Sequence, residues 1–442
     1  MFEVVLSVGA APILLAFLTS FGLCSLFAFA PQLFLNQEHM QNDLSARQAQ
    51  HKRPTPRIGG AAVIVGLAVA MGVYARAIQA DLLWALAAGA VVFAVGLRED
   101  IRRDMSPKVR LLAAFVSAAL AIMLSGAMVP RFGVPYVDGV VGFLAVGVLI
   151  TMLWSAGACH ALNLIDGLNG LASGYSMMAA AGYFVIGGIT GDGDVQLVAA
   201  LLFVALFGFF VLNWPYGRVF LGDAGAYAIG HVLSWLGIIL LARNLEGAGL
   251  AVVLILFWPV ADTAFAIIRR RLLDKDTDQP DRLHFHHLVV RALRLLTNKQ
   301  FNPDMLNPAA TLVMLPFIAV PITMGVLFWS SGAGALIGLL FFALLFVSTY
   351  AFSMDYFKSR RFVVGDLPAD VQAQLKGYAV EVSDLSGLVV ADSRSTYLTI
   401  CRRAGEKGWS LISSNEAGAE TAVFDQFETD VEAWGYFQAQ IG

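Results

Sequence analysis

Charged residues are scarce in this chain of 442 residues. Only 14% are Asp, Glu, Lys or Arg, whereas a soluble globular protein has about 25%. Hydrophobic residues make up 58%, and the mean hydropathy is +0.71. This composition excludes one large soluble domain and excludes a disordered chain. The net charge of −3 gives no electrostatic indication of a nucleic-acid partner, so none is expected.

Cysteine is also rare, and the three residues, Cys24, Cys159 and Cys401, lie far apart. Their spacing forms neither a metal-binding motif nor a disulfide framework, and it gives no information on the redox compartment. A cleaved signal peptide is not expected, because the start of the chain carries Glu3 and lacks the basic residues of such a signal. The 42 glycines suit close helix packing within lipid.

Long apolar runs dominate the first 355 residues. A helix needs roughly 17–25 apolar residues to cross the hydrocarbon core, and eleven runs meet or approach this length. They do not alternate polar and apolar residues as the strands of a membrane β-barrel do. The predicted spans are 4–34, 58–75, 80–97, 110–129, 137–157, 173–190, 195–212, 225–242, 249–268, 309–328 and 333–353. We therefore predict an all-α polytopic membrane protein with about eleven transmembrane helices.

The positive charges are unevenly distributed between the two sides of these spans. When the N-terminus is placed outside, the inner segments hold 26 of the 29 Lys and Arg residues, and the outer loops retain Arg76, Arg131 and Arg243. Positively charged loops stay in the cytoplasm. We therefore predict a multi-pass protein of the cell (inner) membrane with a cytoplasmic C-terminus. Six of the seven histidines lie on the same inner side, so the active site is also expected on the cytoplasmic face.

The composition changes near residue 355, after which the sequence is charged and mixed. The segments GLVVADS and STYLTICRRA have the pattern of strands, and FETDVEAWGYFQAQIG at the end of the chain has the pattern of a helix. We predict a transmembrane domain over residues 1–355 and a small soluble cytoplasmic α+β appendage, of unknown role, over residues 356–442. This appendage contains no recognisable catalytic motif.

The first two inner loops carry clustered charges. The segment HKRPTPRIGG places Lys52 and Arg53 at the membrane surface, where basic residues bind phosphates or simply anchor the loop. The segment GLREDIRRDMSPK places Glu99 and Asp100 at the end of a span, and Asp104 shares a face with Asp100 if the helix continues. Clustered carboxylates suit Mg²⁺ or acid–base chemistry, although a solvated network of salt bridges is the commoner arrangement.

Two further inner segments place polar residues at helix ends. In NLIDGLNGLASG, Asn163, Asp166 and Asn169 recur every three residues, so adjacent members lie close on a helix. Such groups require partners or a ligand in lipid, and hydrogen bonding between helices is the alternative to a ligand. In FLGDAGAYAIG, Asp223 either caps the helix or holds a phosphate-bound metal at its N-terminus. His231, deeper on the same helix, is interpreted as a structural histidine.

The densest cluster follows the ninth span. Asp262 lies inside WPVADTAFAIIRRR, and Arg269 follows two turns later on the same face. The motif DRLHFHH then supplies one arginine and three histidines that can hold a diphosphate or relay protons: Arg282, His284, His286 and His287. A zinc site is less favoured, because no cysteine lies near and cations suited to phosphate surround the histidines. Together the inner segments predict phosphoryl transfer between a water-soluble and a lipid substrate.

Taken in order, these motifs resemble those of the polyprenyl-phosphate N-acetylhexosaminyl-1-phosphate transferases, glycosyltransferase family 4. The resemblance covers roughly residues 1–355 and rests on KRPTPRIGG, GLREDIRRDMSPK, NLIDGLNGLASG, FLGDAGAYAIG, PVADTAFAIIRRR and DRLHFHH. Several motifs in order at one membrane face are far more specific than any single motif. Eleven spans and a cytoplasmic C-terminus are similar to the branch that initiates O-antigen and teichoic-acid synthesis.

The resemblance implies that N-acetylhexosamine 1-phosphate is transferred from a UDP-N-acetylhexosamine, such as UDP-GlcNAc, to polyprenyl (undecaprenyl) phosphate, and that UMP is released. The lipid-linked product would initiate a cell-surface glycan, as in cell wall or lipopolysaccharide biosynthesis. The resemblance also implies Mg²⁺ as cofactor, with Mn²⁺ as a substitute, and a lipid bilayer as the setting. A homodimer is implied by the resemblance alone.

The resemblance also assigns roles to individual residues. Asn163 and Asp223 match the metal-ligand positions. The matching substrate contacts are Lys52, Arg53, Lys108, Asp166, Asn169, Arg282, His286 and His287, with Asn169 at the uracil position. Asp100, Glu99 and His284 match catalytic positions, with Glu99 in place of the first of two paired aspartates. The longer Glu99 side chain moves its carboxylate outward, which puts a metal role for Glu99 in doubt.

Two functions of other classes remain open from the sequence. A secondary transporter also has many spans, but its site lies near the membrane midplane in broken helices, and the sequence shows no internal repeat. A membrane scaffold for other glycan enzymes would act through the tail after residue 355. Deletion of the tail distinguishes a scaffold from a transferase, because a scaffold loses its role whereas a self-contained transferase keeps its turnover.

Overall fold

A computed structural model describes residues 9–30, 55–272, 283–296 and 303–358 and five strands between residues 380 and 427. The chain divides into two compact units, of which one is a helical bundle and the other contains the strands. The described helices are α1 (Ala10–Phe29), α2 (Gly59–Val73), α3 (Ala80–Ala87), α4 (Ala90–Arg102), α5 (Pro107–Ser125), α6 (Pro135–Val141), α7 (Leu144–Ile165), α8 (Leu171–Thr190), α9 (Gly193–Asn213), α10 (Gly222–Arg243), α11 (Gly249–Ile255), α12 (Phe257–Leu272), α13 (Phe285–Leu296), α14 (Pro303–Leu327) and α15 (Gly332–Lys358).

Eight helical segments in the described part of the chain are long and apolar enough to cross a membrane. They are Ala10–Phe29, Ala80–Arg102, Pro107–Ser125, Leu144–Ile165, Gly193–Asn213, Gly222–Arg243, Met305–Leu327 and Gly332–Met354. The bent pair α11 and α12 makes a ninth when it is counted as one span. The predicted class, an all-α polytopic membrane protein, is confirmed. Each of the eleven predicted runs overlaps a helix, but their total as membrane spans stays a prediction.

The predicted span 249–268 is not one straight helix. Helix α11 ends at Ile255, and α12 begins at Phe257 after a bend of 82°. Pro259 in the first turn of α12 explains the break, because proline has no N–H for the carbonyl of Ile255 and its ring would clash with that carbonyl in a continuous helix. The chain direction therefore changes just before Asp262 is reached.

Helix α10 forms the centre of the bundle. Its residues from Gly222 to Leu241 are all buried, and it packs against α2, α3, α4, α7 and α8. An apolar helix without a polar face belongs in the interior. Glycines bring the neighbouring helices close: a Cβ on Gly60 of α2 would lie 2.6 Å from the backbone nitrogen of Gly225, and one on Gly96 of α4 would lie 2.7 Å from Ala224 Cα.

The histidine within α10 is part of this packing. His231 is fully buried, its Nε2 lies 2.9 Å from the carbonyl oxygen of Ala85, and its Nδ1 lies 3.2 Å from Ser117 Oγ. Both ring nitrogens therefore have partners from neighbouring helices, which agrees with the interpretation of His231 as a structural histidine.

The second unit contains one antiparallel sheet in which each strand pairs with the next. Its strands are β1 (Val380–Ser383), β2 (Gly387–Ala391), β3 (Tyr397–Arg402), β4 (Trp409–Ser414) and β5 (Glu420–Phe427). Leu388 of β2 lies opposite Ile400 of β3, and the β4–β5 pairing contains register shifts. The predicted strand segments GLVVADS and STYLTICRRA contain β2 and β3. The predicted terminal helix lies outside the described residues, so the α+β appendage and its boundary at residue 356 stay predictions.

The close approach of α2 and α10 gives a direct stability test. Gly60→Ala should lower the thermal unfolding temperature in detergent, because the added methyl group overlaps the backbone of Gly225 and overpacking costs about 1–3 kcal/mol. The matched control is Gly72→Ala on the same helix, where an added Cβ meets nothing within 4 Å. Equal unfolding temperatures for the two variants would contradict the packing described for α10.

Candidate active site

The first residues of α10 lie at the meeting point of several predicted motifs. Gly222 has φ of +75°, and a Cβ there would lie 2.7 Å from Asp100 Oδ2. Backbone hydrogen bonds join the preceding segment to the end of the PTPRIGG motif, from Gly59 N to Phe220 O at 2.9 Å and from Gly60 N to Leu221 O at 2.8 Å. Glycine at position 222 therefore allows both the turn and the close approach of a carboxylate.

Asp100 caps α10 from a neighbouring helix. Its Oδ1 accepts a hydrogen bond from Asp223 N at 2.8 Å, and its Oδ2 accepts one from Ala224 N at 2.9 Å. These N–H groups have no partner within their own helix, and burial keeps water from them. Asp100 therefore fixes the backbone of Asp223, while a catalytic role for Asp100 stays a prediction.

The Asp223 side chain is buried between a cation and an amide. Its Oδ2 lies 2.6 Å from Arg110 Nη1, and its Oδ1 accepts a hydrogen bond from Asn163 Nδ2 at 3.0 Å. The hydroxyl of Tyr227, one turn further along α10, donates to Asn163 Oδ1 at 3.4 Å. The two predicted metal ligands, Asn163 and Asp223, are thus in direct contact. The N-terminus of α10 also stabilises the negative charge of Asp223.

Glu99 holds the loop between α4 and α5. Its Oε2 accepts a hydrogen bond from Met105 N at 2.8 Å, and its Oε1 lies 4.0 Å from Arg110 Nη1. Helix α4 ends before Asp104 can share a face with Asp100, because Arg103 is left-handed with φ of 55°. Asp104 pairs instead with Arg98 through two hydrogen bonds of 3.1 and 2.8 Å. Arg98, Glu99 and Asp104 therefore hold the loop after α4 to the last turns of that helix.

The turn after α7 lies beside the same helix end. Asp166 follows the last residue of α7, and it receives a backbone hydrogen bond from Gly222. Removal of its carboxyl group from water, opposed by the charge of Arg57, raises the pKa of Asp166 to about 8. The Asp166 carboxyl group, which lies near Asp223, is therefore mostly protonated at neutral pH.

Asn169 is held by three hydrogen bonds. Its backbone N–H donates to Asn307 Oδ1 at 2.7 Å, its carbonyl accepts from Thr311 Oγ1 at 2.7 Å, and its Nδ2 donates to Pro215 O at 3.0 Å. Within the described part of the chain its Oδ1 accepts no hydrogen bond. The predicted uracil contact is thus an oriented amide whose oxygen is available to a ligand.

The histidines form a second cluster against Asp262. Asp262 is almost fully buried, its Oδ2 lies 3.1 Å from His284 Nδ1, and its Oδ1 accepts a hydrogen bond from Phe285 N at 3.0 Å. Arg269, two turns further along α12, contacts the same segment, because its Nη1 donates to Leu283 O at 3.1 Å. Asp262 therefore orients His284 and the start of α13 together.

His286 connects this cluster to the Asp166 turn. Its ring stacks on His284 with 5.7 Å between ring centroids and lies 4.1 Å from the ring of His287. A Cβ on Gly167 would collide with the His286 ring. Burial, with the neighbouring His287 and His284, holds the pKa of His286 well below its ordinary value, so the ring is neutral at pH 7. A direct phosphate contact by His286 stays a prediction.

The donors around Asp223 fit a divalent cation of the magnesium type. Mg²⁺ is usually held by one or two carboxylates together with substrate phosphates and water, rather than by a complete protein cage. Asp223 offers a carboxylate, and Asn163 offers an amide oxygen. No cluster of three or more histidine, cysteine or acidic side chains suited to a metal occurs among the residues with described positions. This donor set therefore suits a metal that arrives with phosphates.

Not every predicted residue joins the site. Lys108 lies exposed in the first turn of α5, and the predicted contacts at Lys52, Arg53 and Arg282 lie outside the described residues. Two residues of the site, Arg110 and Tyr227, were not predicted from the sequence motifs. Their spacing could have revealed them, because Arg110 follows Lys108 in the first turn of α5, and Tyr227 lies four residues after Asp223 on one helix face.

The family model described as glycosyl transferase family 4 matches residues 82–241. This range runs from α3 to the end of α10. It contains Glu99, Asp100, Arg110, Asn163 and Asp223, and it ends before the histidine cluster.

Named relatives match more than half of the chain. A probable undecaprenyl-phosphate N-acetylglucosaminyl 1-phosphate transferase of Bacillus subtilis is 30% identical over 253 residues, which cover 56% of this chain and 69% of that protein. A decaprenyl-phosphate N-acetylglucosaminephosphotransferase of Mycobacterium tuberculosis is 28% identical over 54% of this chain and 67% of its own length. The undecaprenyl-phosphate alpha-N-acetylglucosaminyl 1-phosphate transferase of Escherichia coli is 28% identical over 55% and 67%.

The cap on α10 predicts a difference between two aspartates of one loop. Asp100→Ala should lower the unfolding temperature, because it leaves two buried helix N–H groups without acceptors, at a cost of about 2 kcal/mol. Asp104→Ala is the matched control, since its partner Arg98 is exposed and surface ion pairs contribute little. The assignment fails if Asp104→Ala is as destabilising as Asp100→Ala in differential scanning fluorimetry.

Proposed function

This chain belongs to glycosyl transferase family 4, and we propose that it transfers N-acetylhexosamine 1-phosphate from a UDP-sugar to a polyprenyl phosphate with release of UMP. The observation that carries the proposal is the meeting of Asp100, Asn163 and Asp223 at one end of the bundle, with the histidine cluster beside them. The relatives named above act on undecaprenyl or decaprenyl phosphate, which supports a polyprenyl phosphate as acceptor.

The divalent cation would be Mg²⁺, with Mn²⁺ as a substitute. Asp223 and Asn163 are the residues that would hold it. When bound, such a cation neutralises the charge on the diphosphate. Asn163 would present its amide oxygen rather than the Nδ2 that now faces Asp223. This requires a rotation of the amide group, which also places Nδ2 instead of Oδ1 beside the Tyr227 hydroxyl.

The reaction forms one phosphorus–oxygen bond and breaks another. An oxygen of the lipid phosphate attacks the phosphorus that bears the sugar, and the bond from this phosphorus to the UMP oxygen breaks with its electron pair leaving on UMP. A phosphate monoester has a second pKa of about 6 and is mostly ionised at neutral pH, so a strong base is not required. Asp100 then serves chiefly as a positioning residue, because both its oxygens already hold α10.

Further residues of the chain bind the nucleotide and its phosphates. We assign Asn169 to the uracil ring, with Asp166 beside it, because its amide is oriented and its oxygen accepts no other hydrogen bond from the described residues. We assign the phosphate contacts to Lys52, Arg53 and Arg282, and to Lys108, which would reach the phosphates from its exposed position in the first turn of α5. We assign His284 and His287, at the start of α13, to the same site. Asp262 keeps His284 in one tautomer and orientation.

The cellular setting follows the distribution of charge. We propose a multi-pass protein of the cell (inner) membrane whose site and C-terminus face the cytoplasm, where UDP-sugars are found. A secondary transporter is not favoured, because the polar residues gather at helix ends, whereas transporter sites lie near the midplane. A homodimer and the identity of the sugar stay predictions from the resemblance.

The activity itself is tested with labelled donor. Membranes containing this protein should move label from UDP-GlcNAc or another UDP-N-acetylhexosamine into the lipid fraction with undecaprenyl phosphate, and they should release UMP. EDTA should stop the transfer, and Mg²⁺ should restore it. Asp223→Ala should reduce the rate by about 10²–10³-fold, as expected for loss of a transition-state charge contact. Lipid labelling that is unchanged by EDTA and by Asp223→Ala would remove the metal-site assignment.

The Asp262–His284 pair predicts an effect on turnover. Asp262→Asn should lower kcat by about 10- to 100-fold with little change in KM, because the amide no longer fixes the orientation of His284. Asp194→Asn is the control, since Asp194 pairs with Arg243 at the opposite end of α10. The pair has no role in turnover if Asp262→Asn, at matched protein amount, retains wild-type kcat.

A further inference from the structure

Arg110 already occupies the carboxylate that the proposed function assigns to a metal. Its Nη1 lies 2.6 Å from Asp223 Oδ2, on the oxygen that does not face Asn163. Asp223 is only 6% exposed, and a buried carboxylate requires a cation or strong donors at all times. In the structure, Arg110 meets this requirement.

A divalent cation on Asp223 would conflict with Arg110 in its observed position. Two cations on one carboxylate lie within a few ångströms of each other, and the partly buried setting screens their repulsion weakly. Metal and guanidinium therefore weaken one another's binding at Asp223.

The Arg110 side chain has an alternative partner nearby. Its Nε is buried and has no hydrogen-bond partner among the described residues, while Glu99 Oε1 lies 4.0 Å from Nη1. The Arg110 side chain is 21% exposed, so its neighbours do not fully enclose it. An arginine that bonds only part of its donor fork can rotate toward Glu99 or toward a phosphate without breaking the helix that carries it.

We propose that Arg110 is an exchangeable counter-ion of Asp223: it neutralises Asp223 before the divalent cation binds, leaves when the cation arrives, and then binds the substrate phosphates. This inference rests on the proposed function. It assigns to Arg110 two opposite effects, because the same guanidinium opposes metal binding in the free protein and supports the reaction in the loaded one. A purely structural residue would not have this signature.

The test measures metal affinity and turnover separately. In Arg110→Gln, the affinity for Mn²⁺ alone, measured by electron paramagnetic resonance without substrates, should rise by about tenfold or more, because the competing charge is gone. Turnover with UDP-sugar and polyprenyl phosphate should fall by about 10²-fold or more in the same variant. Arg110→Lys retains the charge and should keep a metal affinity near that of the wild type.

Arg102→Gln is the matched control, because Arg102 is an exposed arginine in the last turn of α4 at the same end of the bundle. A similar rise in Mn²⁺ affinity in this control would assign the effect to general surface charge and overturn the proposal. Unchanged Mn²⁺ affinity in Arg110→Gln would overturn the exchange. Raised affinity with full turnover would overturn the phosphate role. Wild-type protein that labels no lipid with any UDP-sugar would instead reject the proposed function, while the Mn²⁺ comparison still decides on Arg110.

A measurement on the wild-type protein covers the case in which Arg110→Gln does not fold. Phenylglyoxal modification of Arg110, mapped by mass spectrometry, should increase when Mn²⁺ is added and decrease again when UDP follows. Modification that does not respond to Mn²⁺ would show that the metal leaves Arg110 in place and would overturn the exchange.

Discussion

The N–H groups that begin α10 impose the central constraint on this bundle. The helix is buried along its length, so water cannot satisfy these donors, and Asp100 from α4 accepts from two of them. That contact places the side chain of Asp223 in the interior, where its own charge needs Arg110 and Asn163. The polar cluster therefore follows from the burial of the N-terminus of α10. The buried N–H groups need Asp100, and the buried charge of Asp223 needs Arg110 and Asn163.

Much of this cluster could be predicted from the sequence, because membrane spans restrict where each motif can lie. Alternating spans bring every second loop to the same face, so the meeting of Asn163, Asp166 and Asp223 needed only the order of the motifs. The capping role of Asp100 could not be predicted, since it joins residues far apart in the chain. Arg110 was missed because it is the first residue of a predicted span, where a basic residue looks like an anchor.

The histidine motif shows a different limit of sequence reasoning. The spacing in HFHH predicts that the three rings act as a set, but the structure gives them different surroundings. His284 is bonded to Asp262, whereas His286 is packed on Gly167 and is neutral. This division depends on the absence of a side chain at Gly167 and on the break between α11 and α12, which Pro259 causes just before Asp262. Neither packing consequence is written in the motif itself.

Glu99 illustrates how a departure from a family pattern acquires a physical reason. A glutamate in place of the first paired aspartate cannot simply take over the aspartate's contacts, because its carboxylate lies further from the helix. Here that reach lets Glu99 bond the backbone of Met105 and approach Arg110. The residue therefore sets the position of the loop that begins α5, and so the starting position of Arg110 relative to Asp223. The charge of Glu99 lies 4.0 Å from the Arg110 guanidinium, through which it can act on the site.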